Sequence, residues 1–177
     1  FNGTVNAGSI DVTAVGTTTF NNAVDVSSGS VDDLKFSAAG TVILNSDLTG
    51  NVVTTGNNQG ILTTTGLNKT ITGNIGSSTF LDLGILNIGS DTVSANYSKT
   101  TINGDVFANS TVLNNGTTNS SELILASGKN ITSTITTADN GKGILTLAGG
   151  IQTVTGQVGN GNKLAEVNAG NGTSTFV

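Results

Sequence analysis

One ungapped unit occurs twice in this chain, and it constrains the fold more than any other feature. The copies span 60–76 and 143–159, with nine of 17 positions identical. They open as Gly60-Ile61-Leu62-Thr63 and Gly143-Ile144-Leu145-Thr146. They close as Thr70-Ile71-Thr72-Gly73-Asn74-Ile75-Gly76 and Thr153-Val154-Thr155-Gly156-Gln157-Val158-Gly159. Self-similarity at this scale is the signature of stacked architectures. Weaker copies of its apolar-Thr-Gly-polar-apolar centre are Leu48-Thr49-Gly50-Asn51-Val52, Ile102-Asn103-Gly104-Asp105-Val106 and Ile131-Thr132-Ser133-Thr134-Ile135; fainter ones surround Val5 and Val24. Taken as one series, their last apolar positions are Val5, Val24, Val52, Ile75, Val106, Ile135 and Val158. The intervals are unequal but each is long enough for one coil, so the series reads as one coil per copy.

Between the glycines the chain reads as strands. Ser9 to Thr13, Thr41 to Leu44, Gly60 to Thr63, Phe80 to Leu83, Gly84 to Ile88, Glu122 to Leu125 and Gly143 to Leu147 are short β-branched or aliphatic runs. Period-two alternation points Ile71, Leu145 and Leu147 inward and Thr70, Thr72 and Thr146 outward. Gly73 and Gly156 take corners, where a residue free of Cβ strain is needed. The only helical-looking segments are short, such as Val31 to Phe36. Proline is absent, which agrees with strands that must all donate to a ladder. An antiparallel sandwich would show tight hairpins and little self-similarity. The expectation is therefore all-β: a right-handed parallel β-helix (β-solenoid) of about seven irregular coils, formed by 1–177 as one segment. Each coil would stack about 4.8 Å above the last.

Composition narrows function. Gly, Thr, Asn and Ser exceed half the chain, yet the spread of Val, Leu and Ile argues against disorder. With net charge −5 and six scattered lysines as the only basic side chains, neither nucleic acid nor an anionic membrane surface is an expected partner. No apolar run reaches membrane-helix length, so direct membrane insertion is not expected. The start, Phe1-Asn2-Gly3-Thr4, reads as mid-strand rather than signal peptide, and the end reads likewise, which suggests a fragment of a longer protein. Without His, Cys or Arg, the Ser-His-Asp triad, imidazole metal sites and thiol chemistry are closed. The adjacent carboxylates Asp32-Asp33 read as a solvated turn rather than a catalytic pair. A single Ca²⁺ held by Asp11, Asp25 or the Asp32-Asp33 loop is a minor alternative, since calcium wants six to eight oxygens. Gly149-Gly150 and Gly159-Asn160-Gly161 read as turns, not phosphate cradles. No catalytic, cofactor-binding or metal residue is therefore assigned.

The coils with Thr-Ile-Thr-Gly-Asn-Ile-Gly and Thr-Val-Thr-Gly-Gln-Val-Gly resemble the passenger repeats of rickettsial surface autotransporters, the outer membrane protein A and B type surface cell antigens. Phe1 to Gly8 and Val167-Asn168-Ala169-Gly170 share that character. The resemblance implies a non-catalytic passenger displayed outside the bacterial outer membrane. It also implies host-cell adhesion or invasion, or a surface layer, with a host-cell surface protein or matrix as partner. It supplies no binding motif. The stretches Ser27 to Lys35, Ser90 to Lys99 and Asn114 to Ser121 are the expected protrusions. Exposed strand edges at both ends would favour end-to-end self-association.

Two other readings are open. A polysaccharide-acting β-helix enzyme would need an acidic cleft. An ice-binding solenoid would use Thr-x-Thr pairs such as Thr70/Thr72, Thr153/Thr155 and Thr134/Thr136, but the unequal coil lengths argue against a regular array.

Overall fold

The computed structural model describes residues 1–27, 33–79, 81–89, 97–113 and 121–177. Among these the chain forms strands and no helix, every strand pairing is parallel, and the strands stack as a solenoid of about seven turns. Each coil passes through three faces.

Face one carries β1 (Val5–Asn6), β4 (Val24–Asp25), β7 (Leu48–Thr49), β10 (Lys69–Ile71), β12 (Lys99–Ile102), β14 (Glu122–Leu125), β16 (Lys142–Leu147) and β18 (Leu164–Asn168). Face three follows with β2 (Ser9–Val12), β5 (Asp33–Phe36) and β8 (Asn51–Thr54), then single bridges from Val52 to Ile75 and Ile75 to Val106. Face two carries β3 (Thr17–Phe20), β6 (Thr41–Leu44), β9 (Gln59–Thr64) and β11 (Leu83–Ile88). The longer strands β13 (Val106–Leu113) and β15 (Ile131–Thr137) start on face three and end on face two. A register shift between Phe107 and Ser110 lets them round the corner. On face three, β17 (Gly150–Thr155) pairs with the start of β15 and β19 (Gly172–Phe176) pairs with β17.

Register makes the core. On face one, Val5, Val24, Leu48, Ile71, Ile102, Leu125 and Leu147 lie one above the next, although the length of chain between them changes from coil to coil. On face three the inward rank includes Val52, Ile75, Val106, Ile131 and Val154. From Val24 onward these residues are buried, as are Leu62, Leu86 and Leu113 on face two. Burial of each such side chain contributes about 1.5–3 kcal/mol. Buried hydroxyls pair across coils in this core: Thr64 of β9 with Thr100 of β12 at 2.7 Å, and Thr111 of β13 with Ser133 of β15 at 2.9 Å.

The single series read from Val5 to Val158 divides into separate ranks. Val24 pairs with Leu48 rather than lying over Val52, and Val106 pairs with Ile131 rather than Ile135. The copies centred on Gly50, Gly73 and Gly104 do stack, at the corner between faces one and three. A Cβ on Gly73 would lie 2.3 Å from the Gly50 carbonyl oxygen, and one on Gly104 would lie 2.2 Å from that of Gly73. The copies centred on Ser133 and Gly156 stack at the next corner, between faces three and two.

Two local readings change. Of the helical-looking Val31 to Phe36, Val31 and Asp32 lie outside the described residues, and Asp33–Phe36 is strand β5. Leu34 and Phe36 point in and are fully buried between the neighbouring coils, so tertiary pairing overrides a weak local preference. Phe80 also lies outside the described residues, and Leu81 makes only an antiparallel bridge to Ser77. The strand begins at Leu83 and continues through Ile88.

Candidate functional site

Many polar side chains of this solenoid serve the coil above or below. At the corner between faces one and three, Asn51 Oδ1 accepts the Asn74 amide at 3.0 Å. Asn74 Oδ1 then accepts the Asp105 amide, Asp105 Oδ1 the Asn130 amide and Asn130 Oδ1 the Thr153 amide, each at 2.8 Å. A second ladder runs at the corner between faces two and one. There Asn21 Nδ2 donates to Asn2 Oδ1 at 2.6 Å, Asn45 Nδ2 to Asn21 Oδ1 at 2.7 Å, and the Thr65 hydroxyl to Asn45 Oδ1. The first ladder satisfies corner backbone amides that the strand pairing leaves over, whereas the second links side chain to side chain.

One cluster differs from a simple ladder. Register places Lys99 of β12 directly over Glu122 of β14, with Lys99 Nζ 3.0 Å from Glu122 Oε2. The Tyr97 hydroxyl donates to the same oxygen, and Thr146 Oγ1 of β16 donates to Oε1 at 2.8 Å. Asn168 Nδ2 of β18 donates onward to Thr146 Oγ1 at 3.4 Å. Four consecutive coils thus meet on the outer side of face one around a carboxylate that is 8% exposed. Burial opposes ionisation of Glu122. The hydrogen bonds from Tyr97, Thr146 and Lys99 and the lysine charge outweigh it and hold the carboxyl below its usual range. Burial, then the neighbouring carboxylate, pushes the Tyr97 phenol up to about 12. Glu122 is therefore an ionised acceptor engaged on both oxygens, and Tyr97 a neutral donor. Such an arrangement suits anchoring and recognition better than proton transfer, which needs a group poised near the working pH.

The cluster sits where the most residues separate a strand of face two from the next strand of face one. Elsewhere the turn from Phe20 to Val24, Leu44 to Leu48, Thr64 to Lys69 or Thr137 to Lys142 uses three or four residues. Between Ile88 and Lys99 there are ten, and between Leu113 and Glu122 there are eight. The expected protrusions Ser90 to Lys99 and Asn114 to Ser121 fall here, although 90–96 and 114–120 lie outside the described residues. Lys99 itself is a strand residue. In the third expected protrusion, Ser27 to Lys35, positions 28–32 lie outside the described residues, and Asp33 to Lys35 belong to β5.

The carboxylates weighed for calcium are dispersed. Asp11 pairs with Lys35 at 2.8 Å, and hydrogen bonds from Lys35 and Ser37 hold it below the usual range. Asp25 accepts from the Ser27 amide at 2.9 Å and hydroxyl at 2.6 Å. Asp33 accepts from Asn51 Nδ2 at 3.5 Å, and Asp32 lies outside the described residues. No group of three potential metal ligands occurs among the described residues. Gly149, Gly159 and Gly161 have positive φ between strands, as the sequence implies, whereas Gly150, also at positive φ, opens β17.

A cavity of about 430 Å³ opens at the first coil, lined mainly by Phe1, Val5, Ile10, Val12, Val15 and Phe20. The Phe1 and Phe20 rings stack there with centroids 5.0 Å apart. It lies beside the first coil, and its lining holds no charged side chain beyond Asp11, which already faces Lys35.

The sequence reading missed the Glu122 cluster because it sought neighbours along the chain. The signal was the coil length: Lys99, Glu122 and Thr146 follow one another at almost equal spacing, about one coil each. No family model, curated protein or solved structure matches the chain.

Proposed function

We propose that this chain is a non-catalytic, structural and adhesive segment of a bacterial surface-displayed passenger, of the kind the rickettsial autotransporter repeats exemplify. It would be held outside the outer membrane and would contact a host-cell surface protein or matrix. The observation that supports the reading is the use of polar side chains. Asparagine and aspartate ladders run from coil to coil, and the polar cluster on face one engages Glu122 with Tyr97, Lys99 and Thr146 instead of leaving a carboxylate poised for proton transfer. Parallel coil-to-coil bonding stiffens the rod along its axis. Contact then falls to the surface around Tyr97 and Lys99.

The test is binding of the purified chain to cultured host cells, with circular dichroism to verify β-structure. Saturable, competable binding, weakened by Tyr97→Ala or Lys99→Ala, is the expected result. Absence of binding by the folded chain would make the segment a spacer and move adhesion elsewhere.

A further inference from the structure

Differences in coil length do not disturb the outer surface of face two. The extra residues enter at corners, and the strands on this face stay in register through six coils. One outward rank reads Thr17, Thr41, Ile61, Ile85, Ser110 and Thr134. The other, two positions along each strand, reads Thr19, Ile43, Thr63, Asn87, Val112 and Thr136, of which Thr63 is buried. Ten of these twelve residues are β-branched and none is charged, in a chain whose net charge is −5.

The threonine pairs that the sequence offered do not share this face. Thr70/Thr72 flank face one and Thr153/Thr155 lie on face three, so of those pairs only Thr134/Thr136 contributes. The array is assembled by register from residues in six different coils.

Its geometry is fixed by the backbone. Neighbouring strands lie about 4.8 Å apart, and alternate residues along a strand about 6.6 Å apart. β-Branched side chains are stiff at χ1, so their γ-methyls are held on that two-dimensional spacing. Hydroxyls punctuate the methyls. Those of Thr17, Thr19, Thr41, Ser110 and Thr134 find no partner among the described residues, whereas Thr63 accepts from Asn87 Nδ2 at 3.3 Å. A surface without charge complements a neutral partner, and rigid, repeating hydroxyls and methyls complement a partner that is itself periodic.

We infer that face two binds ice, holding a layer of water ordered over its methyls and anchored by its hydroxyls. This goes beyond the adhesive reading above and involves a different face, so either can fail alone.

The experiment measures thermal hysteresis and inhibition of ice recrystallisation with the purified chain. The expected result is a freezing point depressed below the melting point, with faceted crystals. Thr41→Lys and Ile61→Lys should each reduce the effect to the buffer level while the circular dichroism spectrum stays native. Thr72→Lys, exposed beyond the end of β10, should leave it unchanged. Absence of hysteresis from the folded native chain would overturn the inference, as would equal loss in Thr72→Lys. So would sedimentation showing a dimer that Ile61→Lys dissociates, since a second copy would then cover the face.

Discussion

The segments 60–76 and 143–159 are identical at more than half of their aligned positions, yet they occupy different faces of the solenoid. Residues Gly60 to Thr64 lie in β9 on face two, and Gly143 to Leu147 lie in β16 on face one. Ile71 belongs to face one and its counterpart Val154 to face three. Ile75 belongs to face three and Val158, bridged to Ile135, to face two. Each element has moved on by one face, so the two copies are separated by three and one-third turns. The repeat encodes a strand, a corner, a second strand, a second corner and the entry to a third face, and it is not tied to one starting face. Any of the three corners can accept the unit, because each needs an inward aliphatic on either side and a small residue where backbone meets backbone.

If the unit is transferable, equivalent cuts in the two copies should cost alike. Leu62 and Leu145 are both fully buried. Leu62→Ala and Leu145→Ala should each destabilise by about 3 kcal/mol, read as a lowered urea midpoint. A difference of more than about 2.5 kcal/mol, beyond the usual spread of such substitutions, would show that the faces pack unequally.

The corner glycines give the next largest effect. A Cβ on Gly73 would lie 2.3 Å from the Gly50 carbonyl oxygen, and one on Gly156 the same distance from that of Ser133. Gly73→Ala and Gly156→Ala should each cost about 2–3 kcal/mol. Gly156 should suffer more, since its φ of 120° adds backbone strain. Tolerance of alanine at either position would break the equivalence of the two corners.

A smaller effect separates the copies. Thr64 forms a buried hydroxyl pair with Thr100, whereas Leu147 stands at the matching place in the second copy. Thr64→Val strands the Thr100 hydroxyl and should cost about 1–2 kcal/mol. The Thr64→Val, Thr100→Val double variant should recover most of it. A double-mutant cycle in denaturant checks this, and purely additive losses would contradict it.

The smallest effect is in acid, at Glu122 on face one. Glu122 is held below its ordinary range in the folded chain, so its contribution is complete above that range. It is lost as pH falls through the lower folded value. Glu122→Gln should flatten the acid side of a stability-versus-pH curve measured by thermal melting. An unchanged curve would mean that the carboxylate is equally well stabilised when unfolded.

Much of the fold was legible along the chain. Period two in Leu145-Thr146-Leu147 announces a strand and its inward side, and the glycine at 73 or 156 announces a corner. Neither signal says which face a strand joins, because all three faces ask for the same alternation. The series from Val5 to Val158 mixed ranks for that reason. The Glu122 cluster was hidden for a related one. Tyr97, Lys99 and Thr146 reach it from other coils, and their near-regular spacing does not stand out in a chain whose paired residues elsewhere lie 19 to 31 positions apart.

The sequence by itself determined that this chain stacks strands, where it turns, and which side chains go inward, since these follow from local periodicity and from glycine's lack of a Cβ. Tertiary structure alone decided the register between coils. Only the stack of parallel hydrogen bonds absorbs unequal corners while keeping inward ranks aligned, and that register places Lys99 over Glu122 and draws the threonines and isoleucines of six coils into one uncharged face.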